Sequence, residues 1–232
     1  MGYSIYKAFE LLFTLDKEIY FIIFTSLNIT FFSTIFASIM SIPLAFIIDI
    51  SKPRFKKISI AILNSFMALP TVVIGLFVYA FISRSGPLGF MGLLFTPFGI
   101  IIGQTILAIP IIASMILAGF SKIDLRLYET LITLGAKKFD LLKAIIFETK
   151  TLILSAILGG FGRIIGEVGI SMMLGGNIKW YTRTITTAIA LETSKGEFYY
   201  ALALGIILII IAFGINLSAH LIIKSKDRWK IS

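Results

Sequence analysis

An arginine and a glutamate stand close together in an apolar stretch of the second half of the sequence. Arg163 and Glu167 lie four residues apart within segment 159–177, GGFGRIIGEVGISMMLGGN. This spacing places both side chains on one face of a helix, where they can neutralise each other. Charged groups at bilayer depth are costly and usually mark a functional path. The pair therefore predicts either a step on the path of a charged solute or an ion pair that only fixes helix packing.

The segment that follows, 175–197, is polar and rich in threonine, and it carries basic side chains. Hydroxyl groups and cations outside a pore are the groups that would meet an oxyanion. The alternative is a solvated loop and an interfacial helix with Ile185, Ile189 and Leu191 on its apolar side. We predict that Arg183, Thr186 and Thr187 line the outer mouth of a path. Arg163 and Glu167 are predicted to lie deeper. The full candidate set is Arg163, Glu167, Asn177, Arg183, Thr186 and Thr187.

A second candidate site is the long polar segment 122–150, KIDLRLYETLITLGAKKFDLLKAIIFETK. Gly135 divides it, and a glycine can adopt the left-handed conformation that ends a helix. The pattern predicts a helix, a glycine elbow and a second helix, a shape that fits a groove on another protein. The alternative is a cytoplasmic connector without a partner. The apolar residues that recur at near-helical spacing are Ile123, Leu127, Leu131 and Leu134 before the glycine, and Phe139, Leu142 and Ile146 after it.

Membrane helices are the predicted elements that position these residues. A hydrophobic content of 58%, a charged content of 14% and a mean hydropathy of +0.99 exclude a soluble domain. The 232 residues have room for one membrane domain but not for a nucleotide-binding domain. Because there is no cysteine and His220 is the only histidine, we predict no metal site in the chain.

Five stretches approach or exceed the roughly 20 apolar residues that a membrane helix needs. Pro43, Pro70 and Pro110 fall within the first three and predict kinks there. Segment 1–18 is too polar to cross and is predicted to lie on the outer face, whereas 224–232 is predicted to be a cytoplasmic tail after the transmembrane domain 19–223. The predicted spans are 19–48, 58–82, 98–120, 151–174 and 198–223.

The basic residues are distributed unevenly about these spans. Of the 21 lysines and arginines, 14 lie in the first loop, in segment 122–150 and in the tail. The positive-inside rule then places these segments in the cytoplasm and the N-terminus outside. Orientation explains the net charge of +9, so nucleic acid is not needed as a partner.

The spacing of Glu129, Gly135 and Ile145 resembles the EAA loop of permease subunits in ATP-binding-cassette (ABC) importers. The chain departs from the family pattern at four positions, Thr130, Leu131, Phe147 and Glu148. The resemblance implies that a separate ATPase subunit, which binds ATP and Mg, docks at the elbow. The residues it assigns to this coupling are Glu129, Leu134, Gly135, Ala136, Lys137, Lys138 and Phe139.

Residues 163–198 resemble the tungstate-importing permeases more specifically, since GR, EVG, GGNI, TR, TTAIALET and KGEF occur in that order. The similarity covers essentially the whole chain from the first span onward. It implies an all-α polytopic membrane protein with the type I ABC importer permease fold and a cytoplasmic coupling helix.

The resemblance also implies a set of partners. These are a second copy of the chain, two ATPase subunits, an extracytoplasmic tungstate-binding protein and the lipid of the cytoplasmic membrane, with no cofactor or catalytic site in the chain itself. Molybdate or sulfate is the alternative substrate. A gradient-driven transporter and a non-transporting membrane anchor are the alternative classes.

Overall fold

The computed structural model describes residues 16–121 and 123–228, and the regular secondary structure of these residues is helical throughout. The predicted interfacial segment 1–18 therefore lies almost wholly outside the described residues, as do the last four residues of the predicted tail. The helices are α1 Lys17–Asp49, α2 Pro53–Met67, α3 Thr71–Ile82, α4 Pro97–Phe120, α5 Leu125–Thr133, α6 Lys138–Ile165, α7 Gly169–Gly175, α8 Ile185–Lys195 and α9 Phe198–Arg228.

Three of these helices, α1, α4 and α9, are long and apolar enough to cross a membrane. They confirm the predicted spans 19–48, 98–120 and 198–223 to within a few residues. Pro43 and Pro110 lie inside α1 and α4 without ending them. We call the end of the bundle that holds the first residues of α1 and α9 the outer end, following the predicted orientation.

The predicted second span is not one helix. α2 and α3 are separated by a short break and bent by 92° relative to each other. Pro70 explains the break, because proline has no N–H and disfavours a helical residue before it. Its carbonyl instead accepts hydrogen bonds from the N–H groups of Val73 at 2.9 Å and Ile74 at 3.3 Å, which begins α3 as a new helix.

The prediction of a single span at 151–174 is also wrong. α6 begins in the elbow at Lys138 and ends at Ile165, and α7 follows as a separate helix of seven residues. The polar first half of α6 is continuous with its apolar second half. One continuous helix therefore connects the elbow to the apolar part of the protein.

α4 lies at the centre of the bundle and packs against α1, α2, α3, α6 and α7. Close approach to α6 depends on Gly160, where an added Cβ would lie 2.4 Å from Cγ1 of Ile112. α1 is tied to α4 by the hydroxyl of Ser41, which donates to the carbonyl of Ile109 at 3.0 Å. α9 packs on α6 and α8 and exposes Ile209, Ile210 and Phe213, as expected of a helix that faces lipid.

Candidate anion path and coupling elbow

The elbow is built on Gly135, which has the left-handed conformation that the sequence predicted, with φ of +78°. The N–H of Gly135 donates to the carbonyl of Ile132 at 3.0 Å, and the N–H of Ala136 donates to that of Leu131 at 3.0 Å. These two bonds form a Schellman motif, which satisfies carbonyls that the end of α5 would otherwise leave unpaired.

α6 begins immediately after this motif. The N–H of Lys137 donates to the carboxylate of Asp140 at 3.1 Å, which fixes the first turn. No flexible linker separates α5 from α6, because one helix ends at Thr133 and the other begins at Lys138. The elbow is therefore a tight corner between two helices.

The two sides of the elbow differ in burial. Leu131 and Ala136 pack against the core, whereas Leu134 is 78% exposed and Phe139 is 63% exposed. The sequence had placed Leu134 and Phe139 among the apolar residues that recur at near-helical spacing, and the structure divides this set between the core and the exposed side of the elbow. With Ile132, which is also exposed, Leu134 and Phe139 form an apolar surface that we call the elbow surface. Glu129, Lys137 and Lys138 are exposed beside it.

The break between α6 and α7 is organised by Glu167, whose side chain is only 5% exposed. One carboxylate oxygen accepts the N–H of Ile170 at 3.3 Å and so caps the start of α7. The other lies 3.7 Å from a guanidinium nitrogen of Arg163. The structure therefore brings the two predicted residues together, but across a helix end rather than along one helix.

The backbone carbonyl of Glu167 holds the break in place. It accepts hydrogen bonds from the hydroxyls of Thr186 at 2.9 Å and Ser171 at 3.2 Å. Gln104 on α4 donates to the Ser171 hydroxyl at 3.3 Å, and its own side-chain oxygen is buried without a partner among the described residues. Sequence reasoning missed Gln104 and Ser171, although an isolated glutamine in the apolar α4 was a detectable signal.

The break between α2 and α3 lies next to the break between α6 and α7. A Cβ added at Gly169 would lie 3.0 Å from Cγ2 of Val72 and 3.2 Å from Oγ1 of Thr71, at the start of α3. Farther along, Gly75 approaches the backbone of Ile170, so α3 and α7 lie side by side. Both interrupted helices thus restart at the same level of the bundle, an arrangement of discontinuous helices known from solute sites in transporters.

Arg163 lies in the apolar second half of α6, yet its side chain is 53% exposed. Its neighbour Gly162 faces Asn216 in the apolar part of α9. A lipid environment would be costly for an arginine between apolar helices. The exposed guanidinium therefore requires water or a second protein surface beside it.

Arg183 is not a free cation in the single chain. Its guanidinium donates to Oε1 of Glu18 at 3.0 Å, and Nζ of Lys179 lies 2.7 Å from Oε2 of the same carboxylate. We call Glu18, Lys179 and Arg183 the outer ion cluster. Sequence reasoning missed Glu18 because it lies 165 residues from Arg183 along the chain.

Two other predicted path residues have local structural roles. Asn177 occupies a left-handed turn with φ of 50°, and its side-chain oxygen is buried without a partner among the described residues. The hydroxyl of Thr187 accepts the N–H of Thr184 at 2.9 Å, which caps α8. Thr187 is fully buried, so its hydroxyl does not face an open surface in the single chain.

Comparison with known proteins identifies the family of the chain. Residues 41–228 match the profile of the family described as "Binding-protein-dependent transport system inner membrane component". The chain belongs to this family. As a member it is a multi-pass membrane protein, and the elbow and both helix breaks lie inside the matched segment.

The chain is similar to named members of this permease family. It is 40% identical over 209 residues to the tungstate uptake system permease protein TupB of Peptoclostridium acidaminophilum, covering 90% of this chain and 92% of that protein. It is 38% identical over 214 residues to TupB of Campylobacter jejuni, covering 92% and 90%.

Among solved structures, an inward-facing form of the MetNI methionine ABC transporter matches with a TM-score of 0.70. Sequence identity to it is 18%, and the match covers 87% of this chain and 93% of that one. The fold is therefore that of the type I ABC importer permeases, as the sequence predicted.

Proposed function

We propose that the chain is the permease subunit of an ATP-driven importer that moves tungstate across the cytoplasmic membrane. One observation carries the proposal. Arg163 is an exposed cation in the apolar half of α6, and it is only loosely paired with Glu167 at 3.7 Å. A path for a tetrahedral dianion needs such a cation, and tungstate is the substrate named for similar permeases.

Two copies of the chain enclose the path in this proposal. Exposed arginines from both copies then face each other across water, which supplies the polar environment that Arg163 lacks in one chain. Glu167 offsets part of the positive charge, so that an anion is attracted without being held too tightly to leave. The two helix breaks allow the lining to change shape while the long helices stay intact.

The ATPase activity resides on two separate subunits that bind ATP and Mg, and this chain has no ATPase site. Each subunit docks on the elbow surface of one copy, where Ile132, Leu134 and Phe139 are exposed beside charged residues. Aromatic side chains such as that of Phe139 are enriched at protein interfaces. An extracytoplasmic binding protein delivers tungstate to the outer end. Because α6 is continuous, docking and closure of the ATPases move the helix that carries Arg163.

The test is the tungsten and molybdenum content of cells lacking the chain, measured by mass spectrometry with both oxyanions supplied at equal low concentration. We expect tungsten alone to fall, and to recover with the native chain. An equal fall of both metals would replace tungstate with a molybdate-type substrate. No change in either metal would contradict an importer function.

A further inference from the structure

The outer ion cluster joins one carboxylate to two cations. Each oxygen of Glu18 contacts a different cation, Arg183 at 3.0 Å and Lys179 at 2.7 Å. Glu18 lies in the first turn of α1, whereas both cations lie on the turn between α7 and α8. The carboxylate and the cations therefore belong to separate elements and can part without breaking either one.

The turn that carries the cations is held by contacts that do not involve the Glu18 carboxylate, one of them to Phe21 of α1. The hydroxyl of Thr182 donates to the carbonyl of Gly175 at 2.5 Å and accepts the N–H of Ile178 at 3.0 Å. Trp180 packs edge-to-face on Phe21 with ring centroids 5.2 Å apart. Lys179 and Arg183 are thus positioned by the fold of the turn, and their arrangement does not depend on the carboxylate.

Arg183 also has a donor that Glu18 does not use. The Arg183 side chain is 11% exposed, and its Nε is buried without a hydrogen-bond partner among the described residues. Both oxygens of Glu18 are already occupied by one cation each. A tetrahedral oxyanion carries four oxygens, so it can bind the same two cations and also satisfy Nε.

We propose that Lys179 and Arg183 form an oxyanion-binding site at the outer end, and that Glu18 occupies this site as a tethered competitor when no substrate is present. The inference rests on the proposed function and deepens it. A tethered group has an effective concentration on the order of millimolar. Glu18 therefore keeps dilute free oxyanions out of the site, and only an anion released at close range by a docked binding protein displaces it.

The test is calorimetric titration of sodium tungstate and of sodium sulfate into the full-length chain in nanodiscs at low ionic strength. We expect Glu18→Gln to bind both anions about tenfold more tightly, or better, than the native chain, because the competitor is removed. Adding Arg183→Gln to that variant should abolish the gain. Glu192→Gln is the matched control, since it breaks another outer carboxylate–lysine pair, Glu192–Lys195 at 2.8 Å, and should give no gain.

Two results would overturn the proposal: a folded Glu18→Gln variant without tighter binding, or a gain that survives the loss of Arg183. Should Glu18→Gln fail to fold, Glu18→Asp withdraws the carboxylate by one methylene, and it must show a smaller gain for the proposal to stand. A merely structural tie between α1 and the turn predicts lower stability and no gain. Cellular tungsten uptake by the native chain tests the proposed function separately, because the cation pair can bind oxyanions in vitro even if the chain imports another solute.

Discussion

Arg163 and Glu167 form an ion pair in which the two partners have different environments. Glu167 is buried and caps α7, whereas more than half of the Arg163 side chain is exposed. At 3.7 Å the contact is longer than a charge-assisted hydrogen bond, so the guanidinium retains donors for another anion. The carboxylate is therefore structural in the single chain, and the arginine is the partner available to a solute.

Replacing Arg163 by glutamine tests this assignment. The change removes the cation while keeping a polar side chain, and uptake of tungsten should fall about tenfold or more because a hydrogen bond to a charged group contributes about 1.5–3 kcal/mol. The measurement is the initial rate of uptake into cells, corrected for the amount of folded protein. Arg84→Gln, at an exposed arginine of the outer loop, is the control and should leave uptake unchanged. Equal rates for both variants would remove Arg163 from the path.

Thr186 has a structural role that its place among the path candidates did not anticipate. Thr186→Val keeps the shape of the side chain but deletes the hydrogen bond to the carbonyl of Glu167, which should lower the free energy of unfolding by about 1 kcal/mol. Thr186→Ser keeps the hydroxyl and should be closer to the native chain. Thermal unfolding of the purified variants distinguishes them, and a valine variant as stable as the native protein would show that this bond does not hold the helix break.

At the scale of elements, the elbow depends on one backbone conformation. Gly135→Pro imposes a negative φ where the chain has +78° and removes the N–H that donates to Ile132. We expect the variant to lose both the bound ATPase and tungsten uptake. Gly92→Pro is the matched control, because Gly92 also has a positive φ, of 59°, and donates its N–H to Gly89 in the outer loop. If the two variants retained the ATPase equally well in co-purification, the elbow would not be the docking element.

The elbow surface can be tested without disturbing the backbone. Phe139→Ala removes an exposed ring, so the stability of the chain should change by no more than about 0.5 kcal/mol. Affinity for the partner ATPase should fall about tenfold or more, as expected for an aromatic anchor worth about 2 kcal/mol. The measurement is a titration of the ATPase onto nanodiscs that contain the chain.

Phe147→Ala provides the control for that titration. Phe147 lies on the same helix as Phe139 and is similarly exposed. Both rings make a cation–π contact: Nζ of Lys150 lies 4.6 Å from the centroid of Phe147, and Nζ of Lys143 lies 4.5 Å from that of Phe139. It belongs to the part of α6 beyond the elbow surface. The ATPase should bind this variant as it binds the native chain, and equal losses for the two phenylalanines would contradict docking at the elbow surface.

At the scale of the whole molecule, hydropathy located α1, α4 and α9 well because burial in lipid demands continuous apolar sequence. The positions of the prolines were less informative about where helices end. Pro43, Pro70 and Pro110 have the same intrinsic effect on a helix, yet only Pro70 ends one. Neighbouring helices can compensate a missing N–H. The 92° bend occurs where α3 packs against α7, a contact that the sequence does not display.

The candidate sites differ in how far sequence could predict them. The elbow was predictable because Gly135 and its hydrogen bonds involve neighbouring residues of one segment. The partner of Arg183 and the contacts of the Glu167 carbonyl join residues far apart in sequence, so only the tertiary structure reveals them. The predicted interfacial segment 1–18 is not tested, because its residues 1–15 lie outside the described part of the chain.

The central claim is that this permease imports an oxyanion with energy from a separate ATPase, and reconstitution tests it most directly. Proteoliposomes containing the chain and its partner ATPase would be supplied with tungstate-loaded binding protein on the outer side and with ATP on the ATPase side. Tungstate should accumulate inside only when both are present, and Gly135→Pro should abolish accumulation. Accumulation driven by an ion gradient through the chain alone, without ATPase or ATP, would contradict this claim and identify a secondary transporter.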